Sequence, residues 1–301
     1  MSDVLVPFMF DRADVRGAVV SLDASWREVL LRRPYPRAVR ALLGEAYAAA
    51  ALLGSTLKFS GSLALQAQAT DTGAPVRLMV VECNADLGMR AMAKLGTGVA
   101  GEGAALTLPE LIGDGKLVIT LDPQDGQAPY QGVVPLTGER LNLALEHYMH
   151  HSEQLDTRIW LAADETRAAG LLIQRIPDAG GKTGAPPAAA PRWVDAALLA
   201  STVRSAELLA LAPRQLLRRL FHEYDLRVFE QRTARFICSC SKERVAGMLR
   251  MLGRDEVESL LAERGEVKVD CEFCNQAYAF DAVDAARLFI PPLGDGPVAR
   301  H

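Results

Sequence analysis

The chain has 301 residues, half of them hydrophobic and 23% charged, with a formal net charge of -4. That length exceeds what one core usually absorbs, so two domains are expected, and the composition is that of an ordinary globular protein rather than a disordered one. The mild negative charge excludes a chain-wide electrostatic attraction to nucleic acid.

The chain begins with an apolar run, Val4 to Phe10, bracketed by Asp3 and Asp11. A basic start, a longer apolar stretch and a small-residue cleavage site are all missing, so no signal peptide is read there. No segment approaches about 18 uninterrupted apolar residues, so no membrane partner is expected. The default compartment is therefore cytoplasmic, where thiols are kept reduced.

Residues 34–57 are rich in Ala and Leu with few breakers, which predicts a long buried helix. In Ser62 to Thr70, Leu63, Leu65, Ala67 and Ala69 alternate with more polar residues, the period of a strand with one covered face. Asp71-Thr-Gly73 is a turn, and Val76 to Glu82 completes a hairpin. Leu117 to Leu121 and Gln131 to Val134 are further strands across a turn-rich segment. Leu141 to Glu153 predicts a helix, and Arg158 to Ala162 and Gly170 to Ile176 predict strands. Helices and strands do not alternate regularly, so the fold class is α+β, with residues 1–177 as a mixed N-terminal domain.

Asp178 to Arg192 is dominated by Gly, Ala and Pro and reads as a linker. From Trp193 to Phe229 the pattern is helical. Pro213 suits a first turn, and Leu216, Leu217, Leu220, Phe221 and Tyr224 mark an apolar face. Residues 178–230 thus form a flexible segment and linker helices, and 231–301 a small C-terminal domain. There Ser241 is placed to cap a helix ending at Gly253, and Asp255 with Glu258 has capping-box spacing before Gly265. Val267 to Cys271 and Gln276 to Phe280 predict two short strands.

Four of the five cysteines, Cys238, Cys240, Cys271 and Cys274, crowd into this domain. Clustered cysteines in a reducing compartment point to metal or redox chemistry rather than structural disulfides. Zn2+ takes four thiolates tetrahedrally, and each close pair can supply two from one turn. A region this small has a thin core, so a metal would supply much of its stability. Spacing alone favours a permanently closed structural site, although the Cys-x-Cys first pair departs from the usual two Cys-x-x-Cys knuckles.

Phe236-Ile-Cys-Ser-Cys-Ser-Lys-Glu-Arg244, Cys271-Glu-Phe-Cys274-Asn275 and Tyr278-Ala-Phe280 resemble the heat-shock protein 33 family of redox-regulated holding chaperones. Tyr35-Pro36, Thr56-Leu-Lys-Phe59, Tyr130-Gln-Gly-Val-Val134 and Ser152-Glu-Gln-Leu155 extend the resemblance in the same order over nearly the whole chain. It implies that Cys238, Cys240, Cys271 and Cys274 hold Zn2+ when reduced and the protein is then inactive. It further implies that oxidants convert Cys271–Cys274 and Cys238–Cys240 to disulfides. Zinc loss would then unfold the C-terminal domain and the linker helices, and the exposed apolar surface would hold unfolding client proteins without ATP. A homodimer is implied for the oxidised form, and no enzyme activity.

The alternative is a zinc-ribbon nucleic-acid binder. Between Arg232 and Arg287 nine Lys or Arg face ten Asp or Glu, whereas such a ribbon should be clearly basic. A thiol oxidoreductase would set Cys271 and Cys274 at a helix start in a βαβ context, not between strands. Cys83 reads as a small buried hydrophobe. His147, His150 and His151 share a helix face but lack any carboxylate or cysteine placed by the sequence to join them, so a polar face is the reading. Gly180-Gly-Lys-Thr183 lacks the first glycine and the following helix of a P-loop, and Gly101-Glu-Gly103 reads as a turn.

Overall fold

β1 (Val4–Phe10) and β2 (Val15–Leu22) open the chain as an antiparallel pair, followed by α1 (Ala24–Arg32) and α2 (Arg37–Thr56). This computed structural model describes residues 3–11, 13–56, 61–96, 106–123, 126–136, 138–176 and 192–289. β3 (Ser62–Gln68), β4 (Val76–Asn84) and β5 (Gly88–Leu95) form a meander. After α3 (Leu108–Ile112) come β6 (Lys116–Asp122), β7 (Tyr130–Pro135), α4 (Leu141–His151), β8 (Thr157–Ala163) and β9 (Ala168–Arg175). Three helices follow, α5 (Trp193–Ala200), α6 (Ser205–Ala210) and α7 (Pro213–Phe221), then β10 (Leu226–Val228), β11 (Arg232–Thr233) and β12 (Arg235–Phe236). The chain continues with α8 (Lys242–Leu252), α9 (Arg254–Arg264), β13 (Val267–Asp270), β14 (Ala277–Phe280) and α10 (Ala282–Leu288). The α+β class expected from the sequence is the class observed. The linker residues 178–191, Gly180–Thr183 and Gly101–Gly103 lie outside the described residues.

The chain falls into two compact units, the first ending at Ile237 and the second beginning at Cys238. The first holds two sheets, ordered β10-β1-β2-β9-β8, with β11 also on β1, and β12-β5-β4-β3-β6-β7. α2 packs on β2, β8 and β9 of one sheet and on β3, β4 and β5 of the other. Being covered on both sides, its stretch from Ala46 to Leu53 is apolar all round: Ala46, Ala48, Ala49, Ala50 and Ala51 are fully buried. At Gly44 a β-carbon would stand 2.4 Å from that of Ala163, so only glycine admits this approach of β8.

The outer face of the first sheet carries a second core. Val6, Phe8 and Phe10 of β1, Val15 and Val19 of β2, and Leu171 and Ile173 of β9 meet Leu208, Leu216, Leu217, Leu220 and Phe221 of the three helices. Phe221 packs edge-on against Phe10, with ring centroids 5.0 Å apart, and lies 5.9 Å from Phe8. The helices of residues 193–221 thus pack within the first unit. The helical reading up to Phe229 needs correction. Helix ends at Phe221, and Leu226–Val228 is extended because β1 offers a free edge, pairing Phe8 with Val228 and Phe10 with Leu226.

In the second unit α8, α9 and α10 surround the β13–β14 hairpin. Its core has seven buried apolar side chains among the described residues: Ala246, Leu249, Val257, Val267, Phe280, Ala285 and Leu288. Ser241 caps α8 as expected, accepting from the Arg244 amide at 3.2 Å. Asp255 does not cap α9. Gly253 holds that position, and Asp255 and Glu256 lie in the first turn, where negative charge suits the helix N-terminus.

Candidate metal centre

The four clustered cysteines sit on two tight turns. β13 ends at Asp270, and Cys271 to Asn275 reverse the chain into β14. The turn is closed by the Cys271 amide donating to the Gln276 carbonyl at 3.0 Å and by Asn275 donating back to Cys271 at 2.8 Å. Asn275 adopts a positive φ of 56°, a conformation asparagine tolerates better than most side chains. The first pair lies between β12 and the cap of α8, so Cys238 and Cys240 are fixed near that helix's positive end.

All four Sγ atoms lie within 4.8 Å of one another. Cys238 is 3.6 Å from Cys271, and Cys240 is 3.3 Å from Cys274. A metal with four bonds of ~2.3 Å to sulfur sets its sulfurs about 3.8 Å apart in a tetrahedron, so the spacing fits such an ion. The donor chemistry agrees, since four soft sulfurs suit a late d-metal and not Mg2+ or Ca2+. Burial, and hydrogen bonds with the Cys240, Cys238 and Cys271 sulfurs, push the Cys274 thiol up to about 12. The crowding disfavours four bare thiolates side by side, and a cation among them would relieve that repulsion.

Partners outside the sulfurs hold the arrangement. The Tyr278 hydroxyl donates to Cys240 Sγ at 3.1 Å, a bond that pushes the phenol up to about 12. Arg244 reaches back to Ser239 Oγ at 2.7 Å, tying the first turn to α8. The sequence placed both residues in the motif but did not give them these contacts. Cys83 stays apart, fully buried in the first unit, where burial pushes its thiol up to about 12 against the pull of Arg232. No helix among the described residues is long and apolar enough to cross a membrane.

Fold and site define a two-unit α+β protein whose small second unit is built around a four-cysteine cluster able to hold a metal ion. The family model described as Hsp33 protein matches residues 3–281. A 33 kDa chaperonin of Methylobacillus flagellatus is 46% identical over 291 residues, covering 96% of this chain and 95% of that protein. One of Chromobacterium violaceum is 46% identical over 289 residues, covering 95% and 94%. The crystal structure of the 33 kDa chaperonin (heat shock protein 33 homolog) of Thermotoga maritima shares the fold, with a TM-score of 0.77, 22% identity, and 95% and 97% of the two chains covered. The chain belongs to the Hsp33 family of chaperones.

Proposed function

We propose that this protein is a redox-regulated, ATP-independent holding chaperone of the cytoplasm, inactive while Cys238, Cys240, Cys271 and Cys274 hold Zn2+. The observation that carries this reading is the convergence of four sulfurs within 4.8 Å in a unit with seven buried apolar side chains among the described residues. Bound zinc would tie together two turns distant in sequence and contribute about 10–16 kcal/mol of apparent folding energy. The remaining steps belong to the chain.

The thiolate is the form of cysteine that oxidants attack. Two thiolates give two electrons to hydrogen peroxide; an S–S bond forms, the O–O bond breaks, and with two protons two waters leave. Each disulfide removes two donors, so two disulfides abolish the site. We assign the pairs as Cys238–Cys240 and Cys271–Cys274. The shortest sulfur contacts in the folded unit cross between the turns. Once the site opens, however, only sulfurs on the same turn are held near each other by short lengths of chain.

Losing the site leaves the second unit with a core too thin to stay folded. Ile237, the residue before Cys238, donates to the Met89 carbonyl at 2.9 Å, and β10, β11 and β12 are strands of three, two and two residues. Such short segments open at low cost, and α7 stands next to them in sequence. Release of α5, α6 and α7 would uncover Phe8, Phe10, Val15, Val19, Leu171 and Ile173 together with the apolar face of α7. That surface would bind unfolding client proteins, with the active form a homodimer and no reaction catalysed.

The test measures zinc content and suppression of aggregation of a heat-unfolded protein, before and after peroxide. The expected result is zinc loss, client holding and protease sensitivity confined to residues 193–289. Equal holding by reduced and oxidised protein would overturn the switch.

A further inference from the structure

The C-terminal turn of α4 gathers three imidazoles outside the cysteine cluster. His147 and His151 stack with ring centroids 4.0 Å apart and planes at 24°, and His150 meets His151 edge-on at 5.0 Å. The fold adds the carboxylate that helix spacing did not supply, since Asp156 Oδ1 lies 3.2 Å from His150 Nδ1. His151 Nδ1 lies 3.1 Å from the His147 carbonyl oxygen. Both partners are acceptors, so each Nδ1 carries the proton and donates it. Each ring is thereby left with its Nε2 lone pair free, the arrangement that metal-binding histidines commonly show.

We infer that His147, His150 and His151 form a second metal site, for a divalent late transition metal ion, with Asp156 as the positioning carboxylate. Imidazole nitrogen suits nickel, copper and zinc, and residues four apart on a helix lie one above the other. The rings stand stacked rather than converged on one point. All three side chains are exposed, and exposed rotamers exchange in ps–ns, so convergence on an ion is accessible. The neighbouring cations are matched. Arg158 is held by Glu146 at 2.9 Å, and Arg175 lies between Asp14 at 3.5 Å and Asp156 at 3.9 Å. The three histidines and Asp156 line a cavity of about 380 Å3 that Trp193, the first residue of α5, also lines. Trp193 therefore reports on an ion bound there.

The test uses the full-length reduced protein with its cysteine cluster first saturated with Zn2+, then titrated with Ni2+. The expected result is one further equivalent of Ni2+, with quenching of tryptophan emission that Trp193→Phe removes. The double variant His147→Ala/His151→Ala loses that equivalent, whereas His222→Ala keeps it. Asp156→Asn weakens binding about tenfold, the usual effect of removing a partner behind a ligand. No uptake of Ni2+ by the zinc-saturated protein, or equal uptake by wild type and the double variant, overturns the site.

Discussion

Tyr278 shows how one hydroxyl bears on the sulfur cluster. Its bond to Cys240 takes up one lone pair of that sulfur and fixes its direction. Tyr278→Phe keeps the ring and removes the bond, and loss of such a partner lowers metal affinity by about 10–100-fold. Competition with a chromophoric chelator measures this, and the lower end is expected because the backbone of both turns still holds the sulfurs. Glu45 is a separate case, lining a cleft of the first unit beside Arg140. Burial pushes its carboxyl from 4.5 to about 7, with Arg140 pulling it back. The folded chain thus binds this proton more tightly than the unfolded one, so stability falls as pH rises through that window and stays lower above it. Glu45→Gln should therefore stabilise the protein at pH 8 by about 1–3 kcal/mol and give little below pH 5, as read from urea unfolding at the two pH values. The cysteines were legible in the sequence because each pair is closely spaced on one turn. The meeting of His150 with Asp156 was not, because it depends on how the chain leaves α4 rather than on any period.

Alternation was legible where one face is wet. β3 alternates because one of its faces is buried and the other partly exposed, and α2 showed through its length and alanine content. β1 and β2 escaped because both faces of their sheet are covered, by α2 on one side and by the helices of the outer core on the other. Their apolar runs therefore lack a period of two. β5 and α1 were also missed, β5 being buried at most positions and α1 being only nine residues long, with Trp26 and Val29 its buried apolar side chains. The outer core gives the prediction at this scale. Phe221 is the aromatic plug between α7 and β1, fully buried against Phe8 and Phe10. Phe221→Ala should cost about 3–5 kcal/mol. On the proposed reading it also frees α7 more readily, so client holding appears at a lower dose of oxidant. Urea denaturation and an aggregation assay across peroxide concentrations check the two effects. Destabilisation with an unchanged dose response would separate the helix from the switch.

At the scale of the whole molecule, the two units differ in what holds them. The first has a double-sided core around α2 and a second core beneath α5, α6 and α7, while the described residues of the second have seven buried apolar side chains and four sulfurs. Removal of metal by a chelator under reducing conditions should therefore melt the second unit while the core around α2 stays folded. Calorimetry is expected to show two transitions for the metal-bound protein and only the higher one after chelation. A single transition in both states would mean that the second unit folds without help.

The thinness of that small core also governs the way back. On the proposed reading, restoring the thiols would return the ligands but not the folding energy, because ordering them again would need an ion to gather them. Recovery of the resting form would thus depend on two supplies, electrons and free metal. A cell that had regained its reductant but was short of zinc would keep this protein on guard.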